Sequence, residues 1–306
     1  MADYRNLLVI LGPTASGKSE LALAIASTTR AEILTIDSMQ VYREMDIGTA
    51  RPTPRERAKV THHLIDLVAP NELFTVARFV DLADEVIRNA GVSKITLIAT
   101  GGTPLYYKAL FEGLFEGPSA DSSLRARLGS LSNDELHARL TAVDPAAAER
   151  IHVNDTKRLI RALEVHELTG RPISSLQTEW TSPRIRHEAT WFGLLWDREA
   201  LNRRINARVK AMIAAGWVDE VRSLLSRYGS LSPTACEATG YRELIEHVQG
   251  RMSLEDAIEQ IKIATRQLAR RQMKWFKRFP NVHWLSGDRP VDLLRDEIVR
   301  EMTGNH

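Results

Sequence analysis

Apolar runs at four places in the chain predict the buried strands of a sheet. Each run is five or six residues long, which is typical of a strand covered on both faces. Segments with helical periodicity separate the runs, and this alternation favours an α/β fold with a parallel sheet. The runs are residues 7–11, 32–36, 94–99 and 191–196.

Apolar residues at helical spacing predict the helices of the same fold. Gly91 and Gly216 stand where two of these patterns stop, so we expect them to end helices, and Asp197 stands where one begins. The longest pattern has an apolar stripe on one side only, as a surface helix has. The predicted helices are residues 18–25, 74–90, 198–215 and 254–279.

The stretch between residues 115 and 185 differs, because it contains no strand-like run. We interpret it as an all-helical domain inserted into the α/β core, which then consists of residues 1–114 and 186–306. The insertion has 9 Lys and Arg against 10 Asp and Glu when counted over residues 114–185, so any contact with nucleic acid must be local. Its predicted helices are residues 123–131, 134–143, 145–151 and 156–169.

Composition narrows the class of protein. Of the 306 residues, 43% are hydrophobic and 26% are charged, as in ordinary globular proteins, and the net charge is only +2. No apolar run approaches the roughly 20 residues of a membrane helix, and residues 1–5 lack the pattern of a signal peptide. Cys236 is the only cysteine, so no internal disulfide can form and we expect a cytosolic location.

A phosphate-binding motif lies between the first strand and the first helix. Residues 12–19 match G-x-x-x-x-G-K-[ST] in the required context. The N–H groups of such a loop surround phosphate oxygens, Lys18 adds a positive charge, and Ser19 offers a hydroxyl to Mg²⁺. We therefore expect a di- or triphosphate ligand, which need not be a nucleotide. The residues expected to hold it are Gly12, Pro13, Thr14, Ala15, Ser16, Gly17, Lys18 and Ser19.

Polar residues follow the next two strands at the same edge of the predicted sheet. Ligands of parallel sheets bind at the carboxyl ends of strands, so Asp37 and Thr103 are candidates for substrate contact. Each also has a structural interpretation, Asp37 as a turn residue and Thr103 as the N-cap of a helix that starts at Pro104. The neighbouring His62 and His63 point to opposite faces of a strand, which argues against a shared metal ion.

The long C-terminal helix has a face of one sign. From residue 262 to residue 278 there are seven cations and no acid. Solvated faces usually mix both signs, so this pattern predicts contact with a polyanion through its phosphates. The helix after Asp197 adds two arginines on one face, of which Arg208, or alternatively Arg204, could neutralise a phosphate. The cations that recur every four residues are Lys262, Arg266, Arg270 and Lys274.

Taken in order, these motifs resemble those of the bacterial tRNA dimethylallyltransferases, also called tRNA isopentenyltransferases. The phosphate motif alone occurs in many enzymes, but the ordered set is specific and covers nearly the whole chain. The set consists of residues 12–19, 37–43, 45–50, 62–66, 101–103, 154–155 with 158 and 161–164, 240–242, and 265–272.

The resemblance implies an enzyme that moves a dimethylallyl group from dimethylallyl diphosphate to N6 of an adenosine. This adenosine is the one immediately 3′ of the anticodon, at tRNA position 37, in tRNAs that read codons beginning with U. A P-loop α/β core, a helical insertion that contacts tRNA, and Mg²⁺ are implied as well. The partners are the tRNA anticodon stem-loop and dimethylallyl diphosphate, and we expect a monomer without membrane contact.

The resemblance and the chemistry of this reaction assign roles to the candidate residues. Asp37 would orient the N6 amine and accept its proton, while Thr103 would hold the amine or the base edge. Lys18, Mg²⁺ on Ser19, and Arg208 would neutralise the leaving diphosphate, and the adenine would flip out of its stack. The residues expected to contact tRNA are Asp37, Ser38, Met39, Gln40, Thr103, Arg125, Lys157, Arg158, Arg161, Gly240, Tyr241, Arg242, Lys262, Arg266, Arg270 and Lys274.

Three other classes of protein share parts of this pattern. A small-molecule or nucleoside kinase would also use the phosphate motif and Asp37, but it needs no acid-free basic face. A free-adenylate isopentenyltransferase should lack the basic helix. An RNA-binding regulatory ATPase would not need Asp37 and Thr103 at one edge of the sheet.

Overall fold

The computed structural model describes residues 7–113, 117–177 and 185–303. The chain forms two compact units, the first made of Met1–Leu110 with His187–His306 and the second of Phe111–Arg186. The sequence placed the insertion at residues 115–185. Its expected first boundary, between residues 114 and 115, and the N-terminal residues 1–5 lie outside the described part of the chain.

A six-stranded sheet forms the centre of the first unit, and every strand pair in it is parallel. The strands are β1 Leu7–Leu11, β2 Glu32–Thr35, β3 His62–His63, β4 Leu97–Thr100, β5 Thr190–Leu195 and β6 Val282–Ser286. Their order across the sheet is β3-β2-β4-β1-β5-β6, so the carboxyl ends of β2, β4 and β1 are neighbours. The predicted α/β fold with a parallel sheet is confirmed.

The first unit has helices around its sheet, and the described part of the second unit consists of helices and their connections. In the first unit they are α1 Lys18–Thr29, α2 Pro54–Arg57, α3 Val76–Ser93, α4 Pro104–Glu112, α10 Arg198–Ala214, α11 Trp217–Tyr228, α12 Tyr241–Val248, α13 Leu254–Phe276 and α14 Val291–Thr303. In the second unit they are α5 Ser122–Gly129, α6 Asn133–Val143, α7 Pro145–Arg150, α8 Thr156–Thr169 and α9 Ile173–Leu176. Among the helices of the described ranges, none combines the length and apolar character that a membrane crossing requires.

The core of the first unit explains why the strands are continuous apolar runs. All five residues of β1 are buried. Leu8 and Ile10 of this strand belong to one cluster with Ile25 of α1 and Ile298 of α14, each at 0% exposure. A strand covered on both faces has no solvent side for polar residues, so its sequence does not alternate.

Of the two glycines expected to end helices, Gly216 does so and Gly91 does not. Helix α3 continues through Gly91 to Ser93, and Lys94 ends it with a φ of 54°. Helix α10 has Ala215 as its C-cap, and Gly216 follows with a φ of 98°, as expected of a glycine that stops a helix. Gly216 is also the N-cap of α11, a helix that the sequence analysis did not assign. A left-handed residue follows the end of each helix, and the sequence marked its position for α10 but only its neighbourhood for α3.

The second unit contains the four helices expected from the sequence and adds the short α9. Side-chain caps start all four expected helices: Asp121 accepts from Leu124 N, Ser132 forms a capping box with Glu135, Asp144 accepts from Ala147 N, and Asp155 accepts from Arg158 N. The apolar sides of these helices form a core of their own, which includes Leu128, Leu136, Leu140 and Leu159, each at 0% exposure.

Candidate functional site

The phosphate-binding loop joins β1 to α1 in a shape that only glycine permits at two positions. Gly17 has a φ of 91° and is the N-cap of α1. A Cβ on Gly12 would lie 2.5 Å from Ser16 Oγ, so the backbone is tightly folded there. Lys18 is 9% exposed and its Nζ donates to Pro13 O at 3.3 Å.

The surroundings of Lys18 disfavour the charged form of its side chain. Burial first, and then the nearby Arg208, lower its pKa from 10.5 to about 8, although Asp37 opposes the shift. A buried ammonium beside a second cation lacks the compensation that water would give. The loop is therefore short of negative charge, and a diphosphate would supply it.

Asp37 stands directly beyond β2 and is held by backbone N–H groups. Met39 N donates to its Oδ1 at 2.9 Å, and Gly102 N donates to its Oδ2 at 3.2 Å. Burial raises the pKa of Asp37, while these hydrogen bonds and Lys18 oppose the rise. Asp37 is thus a turn residue, as one interpretation expected, and it also lines a cavity. The second role does not exclude the first.

The end of β4 approaches the end of β2 closely enough to exclude a side chain. A Cβ on Gly101 would lie 2.0 Å from Ile36 O. Thr103 then reaches across, because Ser38 N donates to Thr103 Oγ1 at 2.9 Å and Thr103 Oγ1 donates to Ser38 Oγ at 3.1 Å. Helix α4 begins at the following Pro104, so the hydroxyl of Thr103 joins two segments of the cavity wall.

The two candidate arginines of α10 differ in what they contact. Arg204 Nε donates to Ala15 O at 2.8 Å, and its guanidinium lies 4.5 Å from the ring centre of Trp196, so it supports the outside of the phosphate loop. Arg208 lines the cavity, and burial lowers its pKa although Asp37 opposes the shift. Among the described residues, none forms a hydrogen bond with the Arg208 guanidinium. Of the two, Arg208 is the one free to meet an anion.

One cavity of about 200 Å³ brings together the three predicted catalytic residues and part of the phosphate loop. Its lining includes the phosphate loop, the end of β2, the turn after β4, and α10. The loop at residues 48–50 forms another part of the wall, and Gln40 Nε2 donates to Thr49 O there at 3.2 Å. The predicted residues in this lining are Thr14, Lys18, Ser19, Asp37, Ser38, Met39, Gln40, Thr103 and Arg208.

Glu220 on α11 holds the loop at residues 46–48, although the sequence analysis did not single it out. Its carboxylate accepts from Asp46 N at 2.9 Å and from Ile47 N at 2.6 Å. Tyr241 Oη donates to Glu220 Oε1 at 2.6 Å, and Tyr241 is 0% exposed. We had expected Tyr241 and its neighbours Gly240 and Arg242 to contact tRNA. Tyr241 is instead an internal support, because its ring and hydroxyl face the protein.

The basic helix needs a similar correction. Lys262 is 7% exposed and donates to Glu259 Oε1 at 2.6 Å, and Arg266 Nη1 donates to Asn206 Oδ1 at 2.7 Å. Arg270 and Lys274 are exposed. A four-residue step advances about 40° around a helix beyond one full turn, so the row passes from the buried side to the open side. Only its C-terminal half presents free cations.

In the second unit, two arginines that we expected at tRNA pair with a buried acid. Arg125 Nε and Arg161 Nη1 donate to the Glu164 carboxylate at 2.8 and 2.6 Å, and Glu164 is 0% exposed. Burial opposes ionisation of Glu164, but the two arginines outweigh it and lower its pKa. Arg125 and Arg161 therefore stabilise this unit, while Arg158 and Lys157 are exposed on α8.

The adjacent histidines have separate partners, as expected from strand geometry. His62 Nδ1 is 2.8 Å from Val60 O, and His63 Nε2 is 2.6 Å from Glu32 Oε2. Their ring nitrogens make contacts at different places in the protein, so they do not form a shared metal site.

Comparison with known proteins shows which family has this arrangement. The family model described as IPP transferase matches residues 40–279, and the one described as isopentenyl transferase matches residues 5–72. A tRNA dimethylallyltransferase of Geobacter metallireducens is 45% identical over 301 residues, which is 97% of this chain and 97% of that protein.

Solved structures agree with the sequence matches. A tRNA isopentenylpyrophosphate transferase from Bacillus halodurans has a TM-score of 0.73 at 36% identity, with 98% of this chain and 96% of that chain covered. A eukaryotic dimethylallyltransferase acting on tRNA has a TM-score of 0.82 at 27% identity, with 99% and 80% covered.

Proposed function

The chain belongs to the family of tRNA dimethylallyltransferases, enzymes that transfer a dimethylallyl group to a tRNA adenosine, and we propose that the cavity around Asp37 is where its two substrates meet. The supporting observation is that the phosphate loop and the Asp37–Thr103 pair line one cavity. A donor diphosphate in the loop would then face an acceptor amine at Asp37.

The donor in this proposal is dimethylallyl diphosphate, and the acceptor is N6 of the adenosine 3′ of the anticodon. The N6 lone pair forms a bond to C1 of the dimethylallyl group. The C1–O bond breaks, and its electron pair leaves with the diphosphate. The N6 proton passes to Asp37, whose raised pKa makes its carboxylate a stronger base than an exposed aspartate. Thr103 and Ser38 form the wall on which the adenine edge is held.

Lys18 and Arg208 would stabilise the leaving diphosphate. Both are cations in a largely buried setting that disfavours their charge, and an incoming dianion removes that penalty. Ser19 fits the part of a Mg²⁺ ligand, because its hydroxyl lines the same cavity and Mg²⁺ binds such oxygens together with substrate phosphates. Bound there, the ion would neutralise diphosphate charge.

The tRNA anticodon stem-loop would approach along the exposed cations of α13. Arg270 and Lys274 lie within two residues of Gln272, which lines the cavity, so the helix that would contact phosphates also borders the site. Lys157 and Arg158 of the second unit remain candidates for further phosphate contacts. We expect the protein to act as a monomer in the cytosol, where tRNA is modified.

One reaction mixture tests the proposal. It contains the protein, unmodified tRNA, dimethylallyl diphosphate and Mg²⁺, and the digested tRNA is analysed by nucleoside mass spectrometry. We expect N6-(dimethylallyl)adenosine next to the anticodon together with released diphosphate. Phosphate transfer from ATP to a small molecule, without prenylated tRNA, would instead favour a kinase.

A further inference from the structure

We propose that Gln272 is a positioning residue that holds the diphosphate loop and the acceptor end of β4 at a fixed separation. The inference rests on the proposed function, because it concerns how the two substrate sites are aligned. Gln272 lies on α13, is 3% exposed, and is remote in sequence from both segments that it joins.

Both ends of the Gln272 amide are occupied. Thr14 N donates to Gln272 Oε1 at 2.8 Å, and Gln272 Nε2 donates to Gly102 O at 2.6 Å. Thr14 belongs to the phosphate loop, and Gly102 follows β4. One planar amide therefore sets the distance between a donor-site N–H and an acceptor-site carbonyl.

The link extends to Asp37 through one further hydrogen bond. Gly102 accepts from Gln272 with its carbonyl and donates with its own N–H to Asp37 Oδ2 at 3.2 Å. A Cβ on Gly102 would lie 3.0 Å from Asp37 Oδ2 and 3.0 Å from Gln272 Nε2, so Gly102 is enclosed between the two side chains. A shift of Gln272 must consequently move Gly102 and change the hydrogen bonding of Asp37.

The chemistry makes this separation important. The reaction joins an atom held near Asp37 to an atom held near the phosphate loop, and misplacement by about 1 Å can reduce a rate by about 10²-fold. Oε1 and Nε2 are an acceptor and a donor at a fixed geometry, which no apolar or shorter side chain reproduces.

The test compares Gln272→Asn and Gln272→Leu with Gln260→Leu, an exposed glutamine of the same helix. Asparagine keeps the amide but is one methylene too short to reach both partners. We expect Gln272→Asn to lower the single-turnover rate of prenyl transfer by about 10²-fold. Its affinity for tRNA should stay that of the wild type, and Gln260→Leu should leave the rate unchanged.

Two readouts separate positioning from folding. Loss of the Gly102 hydrogen bond would raise the pKa of Asp37, so the acid limb of kcat/KM against pH should move to higher pH in Gln272→Asn. Binding of inorganic diphosphate should weaken in Gln272→Leu, because Thr14 N loses its anchor. This second measurement needs no transfer reaction, so it tests the inference even if the wild type proves inactive on tRNA.

The proposal is overturned if folded Gln272→Asn, judged by its thermal unfolding, turns over at the wild-type rate with an unmoved acid limb. It is also overturned if Gln272→Leu binds diphosphate as tightly as the wild type. If Gln272→Leu fails to fold, Gln272→Asn decides the matter alone.

Discussion

Two clusters of charge in this protein use the same residue types in opposite ways. In the second unit, Arg125 and Arg161 share the carboxylate of the buried Glu164. In the first unit, Lys18 and Arg208 line a cavity with Asp37 but form no ion pair with it in the described structure. Each cluster holds two cations and one carboxylate, but in the first the charges are joined by hydrogen bonds, and among the described residues of the second they are not.

The pKa values record this difference. Paired arginines lower the pKa of Glu164 despite its burial, so the ionised carboxylate is the favoured form. Burial lowers the pKa of Lys18 to about 8 and raises that of Asp37, so both groups are held in unfavourable protonation states. Satisfied charge stabilises a fold, whereas strained charge in a cavity is typical of a site that awaits a ligand.

The largest expected effect on kcat comes from Asp37, the carboxylate of the cluster that lines the cavity. Asp37→Asn preserves the shape but cannot accept a proton, so kcat should fall by about 10²–10⁴-fold. Because asparagine has one acceptor oxygen where aspartate has two, the variant loses one hydrogen bond from Met39 N or Gly102 N, and thermal unfolding should show a modest loss of stability. Diphosphate binding should change little. Steady-state kinetics on tRNA check this, and a variant with nearly unaltered kcat would reduce Asp37 to a turn residue.

Donor binding should depend on pH through Lys18. Its pKa is lowered to about 8, so the empty protein loses this proton above pH 8, while bound diphosphate favours the charged form. Donor affinity should fall by up to about tenfold per pH unit above that value. Calorimetric titration with inorganic diphosphate between pH 7 and pH 10 measures it, with Lys18→Met as the control. A pH-independent affinity in the wild type would show that Lys18 stays charged.

The exposed cations of α13, like Lys18 and Arg208 in the cavity, are expected to bind an anion that comes from a substrate. Replacing Arg270 and Lys274 with Ala should reduce the log–log slope of tRNA affinity against salt by about 1.4–1.8. Donor KM should not change. The control replaces Arg295 and Arg300 of α14 with Ala in the same salt titration. Equal slopes for wild type and the α13 variant would leave α13 as a solvated surface.

The smallest effect on activity should come from the paired cluster of the second unit, in which Arg125 and Arg161 contact Glu164. Glu164→Gln removes the acceptor of two charged hydrogen bonds and should destabilise the protein by about 1–3 kcal/mol, with kcat unchanged. Because the pKa of Glu164 is lowered below its usual 4.5, its contribution is complete above that pH and is lost as pH falls further. Urea unfolding should show the variant's full deficit at pH 7 and a progressively smaller deficit as pH falls below 4.5. A deficit that persists at low pH would contradict the ion-pair account.

Much of the fold was predictable because local rules decide it. The strands in the sheet centre are apolar runs, the phosphate loop has its glycines at fixed spacing, and Asp121 and Ser132 cap helices where the sequence placed turns. Strand β6 was missed because its five residues, VHWLS, form neither a continuous apolar run nor a regular alternation. Helix α11 was missed because Gly216 was interpreted only as a stop signal.

Tertiary structure decided which charged side chains are buried or paired within the protein and which are left to bind a ligand. Sequence spacing gave Lys262 and Lys274 the same status, but the packing of α13 buries one and exposes the other. Helical spacing on α8 already places Arg161 beside Glu164, but only the fold brings Arg125 to it. Gln272 shows the limit most clearly: residues 261, 269 and 276 put it on the buried side of α13, which calls for hydrogen-bond partners. Thr14 and Gly102 become those partners only when the chain has folded, because a helical register specifies a direction and packing specifies what lies there.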